Sequence, residues 1–116
     1  MKAENKSLGA RGEQIARQYF QQRGYKIVAA GYRVGRMGEI DLIVETPEKV
    51  TFVEVKLRRH GNPEEAVDDQ KMRRLDRLAE VYLARHPTSK SVGFDILAVT
   101  LDGQLVEKVK HFPDAF

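Results

Sequence analysis

The 116-residue chain has no cysteine, so neither a disulfide nor a thiolate-bound zinc holds it together. No apolar run approaches the roughly 20 residues that a bilayer-spanning helix needs. The opening Met1-Lys2-Ala3-Glu4-Asn5-Lys6 lacks the apolar core of a signal peptide. The expectation is a cytoplasmic protein with no membrane association. Repeats, low-complexity tracts and long linkers are also missing, which predicts a single domain over 1–116, with 1–6 disordered. His60, His86 and His111 show no metal-ligand spacing such as HxxxH. His60 is the best placed of them, and none is expected to be catalytic. Charge of one sign is barely in excess: 20 Lys and Arg against 17 Asp and Glu give +3, which is ordinary for a soluble protein and equally fits a basic surface that meets a phosphate backbone.

What is present is concentrated in two alternating runs, Gly38-Glu39-Ile40-Asp41-Leu42-Ile43-Val44 and Phe52-Val53-Glu54-Val55-Lys56. If both are strands, residues two apart share a face. Glu39 and Asp41 then point one way, and Ile40, Leu42 and Val44 the other. Phe52, Glu54 and Lys56 share a face of the second run, opposite Val53 and Val55. The Pro-containing link from Glu45 to Val50 is of hairpin length, and a loop from Thr46 to Lys49 sets Asp41 against Glu54 and Glu39 against Lys56. Opposed Cβ atoms in an antiparallel pair are about 4.5–5.5 Å apart. Two carboxylates so close destabilise a hairpin unless a cation offsets them. Mg²⁺, which takes one or two carboxylates plus water and phosphate oxygens, suits that face. A neighbouring lysine would steady negative charge or an attacking water.

These residues resemble the D...(D/E)xK active site of restriction-endonuclease-like nucleases. The longer string, Gly-Glu-Ile-Asp-Leu-Ile followed by Phe-Val-Glu-Val-Lys, is similar to the YraN-type family of small bacterial proteins, which in turn resemble archaeal Holliday junction resolvases. The resemblance extends from about Gly9 to Phe116, and departs in having Ile40 where the superfamily often has Pro. It implies a Mg²⁺-dependent endonuclease, with Mn²⁺ as a substitute, acting on structured or branched DNA such as recombination intermediates. Asp41, Glu54 and the Val55 carbonyl are then the metal ligands, Lys56 the catalytic cation and Glu13 a first-helix carboxylate that joins the metal site. Glu39 is auxiliary: it pairs with Lys56, tunes its charge or caps the strand. The products implied are a 5′-phosphate and a 3′-hydroxyl. The sequence leaves open a nucleic-acid-binding protein that keeps the fold without turnover, and a metal bound for stability alone. It does not choose between a monomer and a homodimer.

Around this centre, Ser7 is expected to cap a helix reaching about Arg23, with Gly24 as its stop. Leu8, Gly12, Ile15, Ala16, Tyr19 and Phe20 form its apolar arc. Glu13 stands at the edge of that arc, facing either solvent or the site. Tyr25 to Val34 reads as a strand with an interruption at Gly31. Arg33 and Arg36 either meet phosphate or are solvated turn residues, and Arg58 and Arg59 leave the second run beside the site, where they either bind the nucleic-acid backbone or merely keep the protein soluble. A second helix begins at Pro63 with Asn62 as cap or at Asp69 with Asp68 as cap; the resemblance implies the latter. It ends before Pro87. Met72, Leu75, Leu78, Ala79, Tyr82 and Leu83 are its apolar arc, with Arg73, Arg74 and Arg77 on the solvated side. Lys71 either covers apolar surface with its stem or supplies a second cation to the site. Val92 to Thr100, an Asp102-Gly103 turn and Gln104 to Phe112 make a final hairpin, with the tail to Phe116 packed back on the body. Asp95 reads as structural. The order αβββαββ predicts an α/β domain, in detail an α+β mixed sheet flanked by helices as in restriction-endonuclease-like cores, with the third and fourth strands parallel.

Overall fold

The computed structural model describes residues 2–61 and 69–116, with side chains described from Gly9 onward. Its elements are α1 (Lys2–Gln22), β1 (Lys26–Val34), β2 (Gly38–Glu45), β3 (Lys49–Arg59), α2 (Asp69–Arg85), β4 (Ser91–Asp102) and β5 (Leu105–Phe112). The strands form one mixed sheet in the order β1-β2-β3-β4-β5. Only β3 and β4 run parallel, because α2 lies between them in the chain; hairpins join the others antiparallel. This is the restriction-endonuclease-like architecture expected. Helix α1 begins at Lys2 rather than at a Ser7 cap. Asn62, Pro63 and Asp68, the alternatives for starting the second helix, lie outside the described residues, and α2 runs from Asp69.

Each helix covers one face of the sheet. Ile15, Ala16 and Phe20 of α1 pack on Leu42, Val44, Val53, Leu97, Val99 and Leu101. Leu75, Leu78, Ala79 and Tyr82 of α2 pack on Ile40, Ile43, Val50 and Phe52 across the sheet. Phe52 sits between the rings of Tyr82 and Phe94, each centroid 5.6 Å away. Truncating such a fully buried ring to Ala costs about 3–5 kcal/mol.

Asp95, only 3% exposed, joins several elements at the far end of the α1 layer. Its carboxylate meets His111 Nε2 at 2.7 Å and accepts the Asp114 amide at 2.9 Å, while His111 Nδ1 lies 3.0 Å from the Tyr19 hydroxyl. The tail is held further by Ala115 N–H donating to the Phe94 carbonyl and by Phe116 stacked on Phe94. Asp95 is therefore a structural residue, in keeping with its sequence context.

Candidate active site at the fork of two strands

Strands β1 and β2 pair Ala30 with Leu42 and, further along, Tyr32 with Ile40. The first pair packs in the α1 layer and the second in the α2 layer. The alternation of faces therefore reverses between them, at Gly31 and Asp41. This corrects the expectation that Ile40, Leu42 and Val44 share a face, since strict alternation assumes regular extended geometry at every residue. Strand β1 is continuous through Gly31, but Gly31 has φ +67°, a conformation that L side chains rarely adopt. A Cβ there would lie 2.6 Å from Glu39 Oε1.

The β2–β3 register runs from Glu45↔Val50 to Leu42↔Val53, the frame expected from the Thr46–Lys49 loop. The loop itself is closed by Thr46 N–H donating to the Lys49 carbonyl, with the Thr46 hydroxyl accepting from the Glu48 and Lys49 amides. Continued one step, the frame sets Asp41 beside Glu54, but there the ladder ends. The Asp41 carboxylate instead accepts the Val55 amide proton at 2.8 Å, taking over a donor that strand pairing has released. The two strands fork at this point with Asp41 in the crotch.

Asp41 consequently lines a cavity on each side of the sheet. On the α1 side is a cavity of about 510 Å³ walled by Gly9, Gly12, Glu13, Gly31, Glu39 and Val55, among others. The small helix residues leave this space open; a Cβ on Gly12 would already be 3.2 Å from Leu57. On the α2 side is a smaller cavity of about 210 Å³, where Glu39, Asp41 and Glu54 meet Lys71, Arg74 and Leu78. Gly38 lies under the helix, where a Cβ would make ordinary contact, 3.5 Å from Arg74 Cδ and 3.6 Å from Leu78 Cδ1; its φ of +137° is what favours glycine there. Periodicity alone puts Arg74 on the solvated side of the helix. Its spacing of one turn from Lys71 is the available signal that both can reach one spot.

The two carboxylates interact strongly. Burial, followed by the charge of Asp41, pushes Glu54 up to about 7, partly relieved by Lys71 and then Lys56. Asp41 is also raised, by burial first, against the lowering effect of the Val55 amide and with added repulsion from Glu39 and Glu13. The hydrogen bond between the two carboxyls raises Glu54 and lowers Asp41.

The other predicted residues divide by position. The Glu13 side chain is 45% exposed, ion-paired at 4.0 Å with Arg17, and looks onto Asp41 across the larger cavity. Glu39 is matched across β1 with Arg33, their side chains 3.4 Å apart, rather than standing in register with Lys56. Arg33 thus serves this exposed ion pair, and Arg36 is exposed in the following turn. Lys56 lies on the Glu54 side of β3, close enough to favour the ionised Glu54. Arg58 Nε donates to Thr100 Oγ1 at 3.0 Å, and Arg59 is exposed at the strand end. His60 bonds Glu107, away from the fork.

The donor set at the fork suits a hard divalent cation. It is all oxygen, with two carboxylates whose ionisation is held back by burial and mutual repulsion. A cation between them would relieve that repulsion. Asp41 and Glu54 would hold it, with water filling the remaining positions. Among the described residues, no group of three or more His, Cys, Asp or Glu stands close enough to hold a metal, so Glu13 does not complete a ready-made cluster.

Residues 12–99 match the model of the uncharacterised protein family UPF0102. The chain is 38% identical over 117 residues to a UPF0102 protein of Syntrophomonas wolfei, covering 97% of this chain and 99% of the relative. It is 39% identical over 121 residues to one from Caldanaerobacter subterraneus subsp. tengcongensis, covering 99% and 98%. Against one from Syntrophotalea carbinolica it is 41% identical over 114 residues, covering 95% and 91%. The string from Gly38 to Lys56 that builds the fork falls wholly inside the matched region, and the chain belongs to UPF0102, the YraN-type family.

Proposed function

We propose that this protein is a metal-dependent endonuclease that hydrolyses phosphodiester bonds of DNA, with structured or branched DNA as its substrate. The observation that carries this reading is the coupled Asp41–Glu54 pair at the strand fork, fixed by the Val55 amide and flanked by lysines. Asp41 and Glu54 would hold Mg²⁺, or Mn²⁺ in its place, with the Val55 carbonyl as a further ligand and Glu13 acting through water. When bound, the cation would polarise the scissile phosphate and lower the pKa of water. Asp41 contributes a carboxylate whose direction is set by the backbone. Glu54 would hold the cation in its ionised form. Lys56 and Lys71 place positive charge beside Glu54, where the phosphate gains negative charge during attack. Through the family resemblance, cleavage leaves a 5′-phosphate and a 3′-hydroxyl.

A DNA-binding protein that keeps this fold without turnover would share the cationic surroundings and lack the chemistry. The two readings separate when Mg²⁺ or Mn²⁺ is titrated into protein with duplex, flap, single-stranded and four-way DNA. Wild type should cleave only with metal. Asp41→Asn keeps the shape, removes the charge, and should lower cleavage on the order of 10²-fold or more, while DNA binding persists or tightens. Equal cleavage by wild type and Asp41→Asn would remove the fork from the chemistry. Metal-independent binding without cleavage by either would favour the non-catalytic reading.

A further inference from the structure

The parallel pairing of β3 with β4 and the antiparallel pairing of β4 with β5 align residues distant in sequence into rungs across the sheet. One rung is Lys56–Ala98–Lys110 and the next is Arg58–Thr100–Lys108. All lie on the side of the sheet that carries Glu54. Val109 and Leu57, which alternate with them, pack in the α1 layer, and Arg58 bonds Thr100 within its own rung. The centre of each rung is small and buried, Ala98 and Thr100. Two cationic columns therefore stand on either side of β4, Lys56 and Arg58 on one and Lys110 and Lys108 on the other.

From this arrangement we infer that the β3–β4–β5 surface beside the fork is a track for the sugar-phosphate backbone of the nucleic acid. Cations two residues apart on a strand are about 6.7 Å apart, more than the 3.4 Å axial rise per phosphate on one DNA strand because each phosphate step also turns around the duplex, so successive cations can meet successive phosphates. The columns are separated by two strand spacings, about 10 Å, leaving β4 as the floor. The next rung toward the fork is Glu54–Ile96–Phe112, so the track leads directly to the carboxylate pair. Phe112, 42% exposed at that rung, offers an aromatic surface against which an unpaired base can stack. The net charge of +3 conceals this patch, because the cations come from strands far apart in the chain.

The inference rests on the nucleic-acid reading of the fork but not on catalysis. Its test uses Lys108→Gln/Lys110→Gln, whose side chains keep much of the aliphatic stem, with Lys26→Gln on the opposite edge of the sheet as control and Lys108→Arg/Lys110→Arg as the charge-preserving partner. The Asp41→Asn background prevents cleavage, and the probe is a labelled 30-base-pair duplex with a single-stranded 5′ arm. Affinity is measured against salt concentration. The Gln pair should weaken binding about tenfold or more and reduce the log–log salt slope by about 1.8 on duplex, at about 0.9 for each phosphate left without its cation. The Arg pair and Lys26→Gln should retain the parental slope. If the Gln pair keeps both slope and affinity, the track is wrong, even if the parent protein cleaves. If the Gln pair loses slope and protein with Asp41 intact fails to cleave, the track stands and the nuclease reading falls. Should the Gln pair unfold, the Arg pair against Lys108→Glu alone gives the same comparison, and an unchanged slope in Lys108→Glu overturns the inference.

Discussion

The two sides of the sheet differ sharply at Asp41. The α1 side is roomy and acidic, with Glu13 and Glu39 facing Asp41 across a helix surface reduced to glycine and alanine. The α2 side is tighter and mixed in charge, where Lys71 and Arg74 come down onto Glu54. One carboxylate at a strand fork is thus reached from both. Under the proposed nuclease reading this contrast is a division of labour: cation and water would enter where carboxylates dominate, and phosphate would lie where lysine and arginine do. The sign of the charge each helix brings makes the difference, since both cavities share Asp41 and Glu39.

Removing the α2-side carboxylate should have the largest effect. Glu54→Gln should lower metal-dependent cleavage on the order of 10²-fold or more. It should also change the pH dependence of stability. Folding raises Glu54 from 4.5 to about 7, so it favours the protonated form. That stability is fully present below the unfolded pKa and is lost as the pH rises through about 7. Metal-free wild type should therefore melt at a lower temperature at pH 8 than at pH 5, beyond whatever slope remains in Glu54→Gln, and Mg²⁺ should restore part of the loss at pH 8. Thermal melts of both proteins over this range provide the check; identical slopes would show that Glu54 does not carry the linkage.

A smaller but still substantial effect is expected at the residue that lets the two sides meet. Gly31→Ala places a Cβ at positive φ and 2.6 Å from a Glu39 oxygen. The cost should be about 1–3 kcal/mol, or several degrees in melting temperature. Restoring stability with Glu39→Ala in the same chain would identify the clash with Glu39 as part of that cost. Were Gly31→Ala as stable as wild type, the face reversal would not depend on glycine.

The smallest effects should fall on the groups that reach the fork from the two helices. Lys71→Met keeps the stem but removes the cation and should slow cleavage about tenfold with little loss of DNA affinity, much as removing a supporting partner weakens other metal sites by about 10–100-fold. Glu13→Gln should affect the Mg²⁺ concentration needed for half-maximal cleavage more than the rate at saturating Mg²⁺. Metal titrations of the two variants would separate the sides. The reverse pattern, with Lys71→Met shifting the metal requirement and Glu13→Gln only the rate, would exchange the roles assigned to them.

Much of this arrangement is legible in the chain itself. Period-two alternation, the Pro47 loop and the spacing of Asp41 from Glu54 are enough to fix the hairpin register, because loop length and parity leave few ways to pair two strands. The long polar-to-helical connection after Lys56 requires β4 to lie parallel to β3. Periodicity likewise finds the buried arcs of both helices, Ile15, Ala16 and Phe20 in one and Leu75, Leu78, Ala79 and Tyr82 in the other. Local patterns reach only as far as local geometry is regular. The face reversal at Gly31 and Asp41 requires matched irregularities in two paired strands, and the capture of the Val55 amide requires the ladder to open. Arg74 reaches the cavity because tertiary packing sets α2 over the Gly38 end of β2, which the periodicity of the helix does not contain. Lys108 and Lys110 join Lys56 and Arg58 only through strand order, since the β4–β5 hairpin is set beside β3 by parallel pairing across α2 rather than by proximity in sequence. Sequence by itself determined which residues are strands, helices and candidate ligands; the three-dimensional structure decided which charges share a surface, because that depends on twist and strand neighbours that no single window of the chain contains.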